Sequence, residues 1–506
     1  MITLSRLSSI PPVSARAGFI LVTVIQLLFL LTAVLWRIID GDEGFYILAS
    51  KLVAGGDVLY RDFFYPQMPL LPYIYGAVDT IAGIGWYSGR ILSLCFALCT
   101  GCLLYLYIQK RTRNAWMGVV AAALYSMTSL VFGWLTVVKT HSIVALLLFA
   151  AFYLLSGSAA GKKYFWSGLV LGCAVDVRLF IAALVPFFLY HIYRCAGKRR
   201  QLRLLALFTV GLLIGLVPSF IYIGLFPDQF VFNNITYHSL RGNGGLIGDF
   251  GQKVEVFKQM LAIGGTERLL GLQFLLLLIA TAAYGVCHYV SKRRVPFALL
   301  LTVPLFVVCF LPTPTFVQYF SILIPFMVLQ SVLLYGDFLR RIGRTSITVM
   351  VCMLLVVYGA VAAAELYRYT VTGIDVPGVD ASRHAADWKI STVTRIAGAI
   401  DRENTAHGDV LTFWPGYVIA TSQHIVRGME NHFGVEVGDS VEADERAIYR
   451  ILSYDDVKIL IAHRIPSFAV IGNWAPDARQ YHTLLNEFGY RHLDTIGTAL
   501  LYRRED

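Results

Sequence analysis

Apolar residues recur along this chain in long runs, broken by short basic clusters, and the runs predict helices. Residues 17–36, 91–109, 116–132, 143–155, 164–175, 179–193, 204–225, 269–290, 295–310, 317–334 and 347–364 make about eleven candidate membrane spans. The run 164–175 is short for a full crossing. Joining it to 179–193 would bury Asp176 and Arg178 in mid-membrane, so the pattern predicts a tight helical hairpin with both charges at its outer tip.

The basic clusters orient these spans. "KRTR" (110–113), "GKK" (161–163), "GKRRQLR" (197–203), "SKRR" (291–294) and "RRIGR" (340–344) all fall on one face if the spans alternate, the face that also carries the N-terminus. Cationic loops stay inside, which predicts a cytoplasmic N-terminus and an extracytoplasmic tail. The first run follows Arg6 and Arg16 as a signal sequence would, but it ends in bulky "LWRII" without a small-residue cleavage site, and reads as an uncleaved helix.

Composition fits this pattern. With 57% hydrophobic and 15% charged residues and a mean hydropathy of +0.65, the 506-residue chain is too apolar for a soluble globule. The net charge of +10 resides in the orienting clusters, which removes the case for a nucleic-acid partner. Eight cysteines lie in or beside apolar runs and suggest no disulfide framework. The expected fold is an α-helical polytopic membrane protein: residues 1–366 form the transmembrane domain with external loops 37–90 and 226–268, and residues 367–506 form a small soluble extracytoplasmic α/β domain. In that tail "VLTFW", "KILIAH" and "FAVIG" read as strands, and Trp388, Val393, Ile396 and Ile400 share a helical face. Residues 70–86 are apolar enough to lie in the interface plane, with Trp86 and Tyr87 as anchors.

The candidate chemistry begins where the first span ends, in "DGDEGFYILASKLVAGGDVLYRDFFYPQMPLLPYIYG" (40–76). Asp42 and Glu43 lie within about two helical turns of the span, at headgroup level, where a carboxylate can act as a general base; the alternative is an ordinary turn cap. Asp62 is the second carboxylate for base support, and Asp42 with Asp62 could hold a divalent metal; a salt bridge to Arg61 is the competing role. No other cofactor is implied. Arg61, Arg90, Lys139, Arg178 and Arg241 are the external cations. Lys139 with His141 in "VVKTHS" opens a span and reads equally as a topological anchor, Arg178 as an ion pair with Asp176, Tyr319 as a belt tyrosine, and His238 as a plain loop histidine. "GNGGLIGDFG" lacks the Gly-Lys-Ser/Thr ending of a phosphate loop and suggests only flexibility.

The D-E-G-F-Y pattern followed by "GGDVLYRDFFYPQMPLLPY" resembles the membrane-embedded glycosyltransferases of the GT-C class, especially the protein-mannosyltransferase and aminoarabinose-transferase branch of glycosyltransferase family 39. "GRILS" (89–93), "DVR" (176–178), "FVFNNITYHSLR" and "PTPTFVQYFSILIPF" (312–326) extend the likeness over most of the chain. The resemblance implies an inverting transfer from a polyprenyl-phosphate-linked sugar to a lipid, glycan or protein acceptor, on the external face of a bacterial-type inner membrane. It implies Asp42 as base with Glu43 as its neighbour. In that class basic or tyrosyl groups hold the lipid phosphate, and the candidate residues for binding donor phosphate and sugar here are Arg61, Asp62, Gln67, Lys139, His141, Arg178, His238, Arg241 and Tyr319. Two positions depart from the pattern: Phe45 stands where the branch has a basic residue, and Gln67 where it has a lysine. A transporter or flippase of polyprenyl-linked glycans, or a glycan polymerase or ligase, would share the apolar spans; the former usually buries charge at the bilayer midplane in repeated halves, and no repeat is visible here.

Overall fold

The computed structural model describes residues 14–157, 161–241, 250–263, 268–341, 344–373, 376, 385–405 and 408–505; most of "GNGGLIGDFG" lies outside them. The apolar runs all fold as helices. Five are long and apolar enough to cross a membrane: Ala15–Trp36, Trp86–Thr112, Arg268–Lys292, Val317–Phe338 and Cys352–Thr372. Gln201–Gly215 and Val217–Leu225, bent by 54°, make a sixth if they form one span. Five more, Leu70–Ala82, Ala115–Ser126, Thr140–Leu155, Leu179–Cys195 and Phe297–Val308, have only 10–17 residues. Length and composition thus support five or six spans among the described residues where the pattern predicts about eleven. Breaks inside the runs account for the difference: Ala115–Ser126 ends before a separate short helix, Ser129–Trp134, and the 204–225 run bends just before Pro218, which cannot donate to the helical ladder.

One close crossing fixes an element of the site. Lys162–Val177 packs on Gln201–Gly215 through Gly168 and Gly172 on one helix and Gly211 and Gly215 on the other. A Cβ at any of the four would overlap a backbone carbonyl of the partner helix, at Phe208, Leu212, Phe165 or Leu169. Small residues spaced by four let the backbones meet. The first helix then stops at Arg178, whose backbone is extended (φ −151°), before a tight turn over Leu179–Leu184 and the helix Val185–Cys195. Asp176 and Arg178 do not pair. Asp176 accepts from the Ser219 backbone at 3.1 Å and from its hydroxyl, and Arg178 turns towards Thr140.

After Ala385 the chain builds a four-stranded sheet, order β1-β2-β4-β3: β1 (Val410–Thr412), β2 (Phe468–Ile471), β3 (Tyr490–Ile496) and β4 (Ala499–Arg504). β1 and β2 run parallel with Val410 opposite Phe468; β4 is antiparallel to both β2 and β3. The helix Ile390–Glu403 buries Val393, Ile396 and Ile400 against it. "VLTFW" and "FAVIG" are strands as expected, whereas "KILIAH" lies in the helix Tyr454–Ala462. A reciprocal cap decides that case, since Ser453 and Asp456 each bond the other's backbone N–H and start a helix over residues of high strand propensity. Trp86 departs from its expected anchoring role. It is buried and stacks on Trp414 with centroids 6.0 Å apart, so the sheet-bearing segment covers it.

Candidate active site

Ala15–Trp36 ends at Arg37, and the next turn, Asp40–Gly41–Asp42, enters the helix Glu43–Ala54. Asp42 occupies the N-cap of that helix, yet its carboxylate caps nothing. It lies 2.9 Å from Lys139 Nζ, which also meets Asp40 at 2.7 Å. Lys139 is buried beside the Trp134 ring, 5.0 Å from its centroid. Lys139 therefore bridges two carboxylates, and its charge is already matched.

Glu43 faces the opposite way. Arg90 clasps it with two bonds, Nε to Oε2 at 2.8 Å and Nη2 to Oε1 at 2.6 Å, and both side chains are fully buried. Arg90 Nη1 also donates to the Arg37 carbonyl at 2.8 Å, and Glu43 Oε1 accepts from the Asp40 N–H at 2.8 Å. This pair ties the end of the first helix to the start of the second. Glu43 thus holds the shape of the loop and Asp42 alone of the two opens on solvent, with about a quarter of its side chain exposed (26%).

Asp42 lines a cavity of about 880 Å³ together with Gln67, Lys139, His141, Arg178, His238, Arg241 and Tyr319. The Arg178 guanidinium stands 4.7 Å from the Tyr319 ring centroid and 4.9 Å from that of Phe180, and donates to Thr140 Oγ1 at 2.5 Å. The His141 ring stacks near Tyr319 at 5.9 Å, and neither of its nitrogens has a hydrogen-bond partner among the described residues. Arg241 lies over the Phe433 ring at 3.9 Å. His238 donates to the Pro66 carbonyl at 3.2 Å; burial, then Arg241 and Arg178, pull its pKa down to about 4 and keep it neutral. One cavity therefore gathers the Asp42 carboxylate, the cations Lys139, Arg178 and Arg241, the Tyr319 ring and the imidazoles of His141 and His238.

Arg61 and Asp62 lie elsewhere. They pair with each other at 2.7 Å, Asp62 also caps the Val58 N–H at 2.7 Å, and neither lines the cavity. The structure does not bring Asp42 and Asp62 together to share a metal, and no group of three His, Cys, Asp or Glu side chains suited to a metal occurs among the described residues. Burial disfavours the ionised form of Asp42, but Lys139 first, then His432 and Arg241, outweigh it and hold the carboxyl below its usual range. Asp40 is pushed up, first by burial and also by Asp42, with Lys139 opposing.

Several wall residues escaped the sequence reading. Asp40 shares Lys139, Tyr46 and Tyr237 line the cavity, and the segment after Ala385 contributes Trp388, Phe433, Glu436, Asn473 and Trp474. A signal was present for the tryptophans. Trp414 and Trp474 follow the C-terminal ends of the parallel strands β1 and β2, the edge where sites in open sheets collect.

In fold this chain stands beside membrane glycosyltransferases. Residues 66–222 match the family model described as dolichyl-phosphate-mannose-protein mannosyltransferase. The structure of ArnT from Cupriavidus metallidurans bound to undecaprenyl phosphate is similar to this chain with a TM-score of 0.65 at 15% identity, covering 96% of this chain and 97% of that one. Its apo form gives the same TM-score and identity over 97% and 98%. The Archaeoglobus fulgidus oligosaccharyltransferase, in complex with Zn and sulfate, is similar with a TM-score of 0.55 at 12% identity over 96% of this chain and 73% of that one. Comparison with curated protein sequences gives no match. The family-model match and the shared fold support an integral membrane glycosyltransferase.

Proposed function

We propose that the protein transfers a sugar from a polyprenyl-phosphate-linked donor to an acceptor hydroxyl, with Asp42 as general base and inversion at the anomeric carbon. Asp42 removes the hydroxyl proton as the acceptor oxygen bonds to the anomeric carbon. The bond from that carbon to the phosphate oxygen breaks, and polyprenyl phosphate departs with the electron pair. Arg178, Tyr319 and Arg241 are the groups suited to hold the phosphate, because their charge and hydroxyl are not consumed by a protein carboxylate. ArnT bound to undecaprenyl phosphate supports this donor class through its shared fold. The basic clusters support an external cavity mouth, with residues 367–506 as an extracytoplasmic domain.

One observation carries the reading: the only carboxylate of the Asp40–Asp42–Glu43 trio that opens on the cavity faces the same space as the Arg178–Tyr319 pair. Asp42→Asn keeps size and removes proton acceptance, so transfer in liposomes should fall about a hundredfold to ten-thousandfold, with undecaprenyl phosphate still bound. Near-native turnover would remove Asp42 as the base. A wild-type chain that does not bind undecaprenyl phosphate would remove the donor class.

A further inference from the structure

The end of the cavity beside Asp42 carries groups that phosphate departure and proton transfer leave unused. Asn473 and Trp474 follow β2 after a single glycine. Trp474 has φ +66°, a left-handed backbone that costs about 1 kcal/mol or more in a bulky residue and persists only where packing imposes it. Its indole is braced edge-on against Trp388 at 5.3 Å and 85°, and lies against the His432 ring at 4.4 Å. Its far edge lies on Gly41, where a Cβ would overlap the six-membered ring. The indole therefore stands one residue from the base.

Asn473 completes the wall. Its backbone N–H donates to the Tyr417 hydroxyl at 3.2 Å, which fixes the loop, while its side-chain Nδ2 is buried and has no hydrogen-bond partner among the described residues. That nitrogen has no surface facing the cavity, so a ligand meets Asn473 through the accessible part of its side chain, which lines the cavity. Glu436 lines the same cavity as a further acceptor. A rigid indole beside a cavity-lining amide suits a sugar ring, whose C–H face stacks on the aromatic plane while its hydroxyls bond the accessible part of the amide.

We propose that Trp474 and Asn473 form a sugar subsite beside Asp42, which makes the acceptor a glycan or glycoside, not a peptide or a lipid headgroup. This rests on the glycosyltransferase reading, because the acceptor hydroxyl must lie on the side of the base and the phosphate on the opposite side. The same ring chemistry could come from the donor's sugar, and binding experiments separate the two sources.

The test titrates methyl mannopyranoside, methyl glucopyranoside and methyl galactopyranoside against the full chain in nanodiscs, read by saturation-transfer NMR, with undecaprenyl phosphate binding measured in parallel. At least one glycoside should bind, and Asn473→Ala and Trp474→Ala should each weaken it about tenfold while undecaprenyl phosphate affinity stays unchanged. A glycoside that remains bound when undecaprenyl phosphate carrying glucose or mannose is added occupies the acceptor site, as proposed. One displaced by the sugar-bearing lipid but not by bare undecaprenyl phosphate occupies the donor's sugar site, which overturns the acceptor assignment. Should Trp474→Ala fail to fold, because it supports Gly41, Asn473→Ala decides alone. No glycoside binding, or binding unchanged in the variants, overturns the subsite while leaving lipid-phosphate binding intact; loss of both in the wild type overturns the glycosyltransferase reading itself.

Discussion

Trp414 donates its indole N–H to the carbonyl of Gly41 at 2.8 Å, joining the end of β1 to the residue before Asp42. Trp474 covers the same glycine from the other parallel strand. Asp42, the proposed base, is thus set from two directions: from within the helical bundle by Lys139, and from the sheet by two tryptophans. A general base needs this placement, since a shift of about 1 Å in the reacting geometry can cost about a hundredfold in rate.

Trp414→Phe keeps most of the ring and leaves the buried Gly41 carbonyl without its donor, a loss of about 1–3 kcal/mol where the loop is held. Transfer should fall about tenfold or more, with undecaprenyl phosphate affinity unchanged because the Arg178–Tyr319 end is untouched. Equal losses in lipid binding and turnover would show that Trp414 supports the whole cavity and not the Asp42 loop.

Glu43→Gln should act on stability first. Arg90 would keep its charge at full burial without a counter-ion, and breaking such a pair from one side costs about 3–5 kcal/mol. A fall of several degrees in the thermal midpoint, with little correctly folded protein recovered, is the expected result. A well-folded, inactive Glu43→Gln would instead place Glu43 in the chemistry.

The acid limb of the rate profile should lie below the usual carboxylate range. Burial alone would raise the pKa of Asp42, and Lys139 first, then His432 and Arg241, reverse that sign, so Asp42, as the proposed base, should be ionised at neutral pH and lose activity only as pH falls through its lowered pKa. Lys139→Met removes the largest opposing charge and leaves burial in place, so the acid limb of kcat/KM should move to higher pH. An unmoved acid limb would assign it to another group.

How much of this was legible in the sequence depends on the range of the interaction. The acidic turn after the first span is local, and its place at the membrane surface follows from counting residues. Which of Asp40, Asp42 and Glu43 faces the cavity is not local: Arg90 on one helix and Lys139 at the start of another decide it. The glycine pairs Gly168/Gly172 and Gly211/Gly215 were readable at their four-residue spacing, whereas the backbone contact they permit was not. "KILIAH" went to the wrong element because a short β-branched run suits either, although Ser453 and Asp456 already spelled the cap. Trp474 could be seen to follow a strand, but not to lie on Gly41, since that contact depends on how the sheet docks on the bundle.

Glu430 offers a pH test of the sheet-bearing segment, independent of catalysis. It is buried, 2% exposed, with Oε2 accepting from the Gly428 N–H at 2.7 Å and the more exposed Arg427 only at 3.7 Å. Burial pushes its pKa up to about 7, against the partial opposition of those backbone bonds and of Arg427. A carboxyl whose folded pKa lies above its unfolded value stabilises the fold below the unfolded pKa and loses that contribution as pH rises through the folded one. Between about pH 4.5 and 7 the wild type should therefore lose on the order of 3 kcal/mol from this group. Glu430→Gln, neutral throughout, should lack that part of the decline, so the gap between variant and wild-type thermal midpoints should swing in favour of the variant as pH rises from 5 to 8. A gap that stays constant across that range would show that Glu430 is ionised in the folded protein at both ends, with Arg427 closing on it in solution.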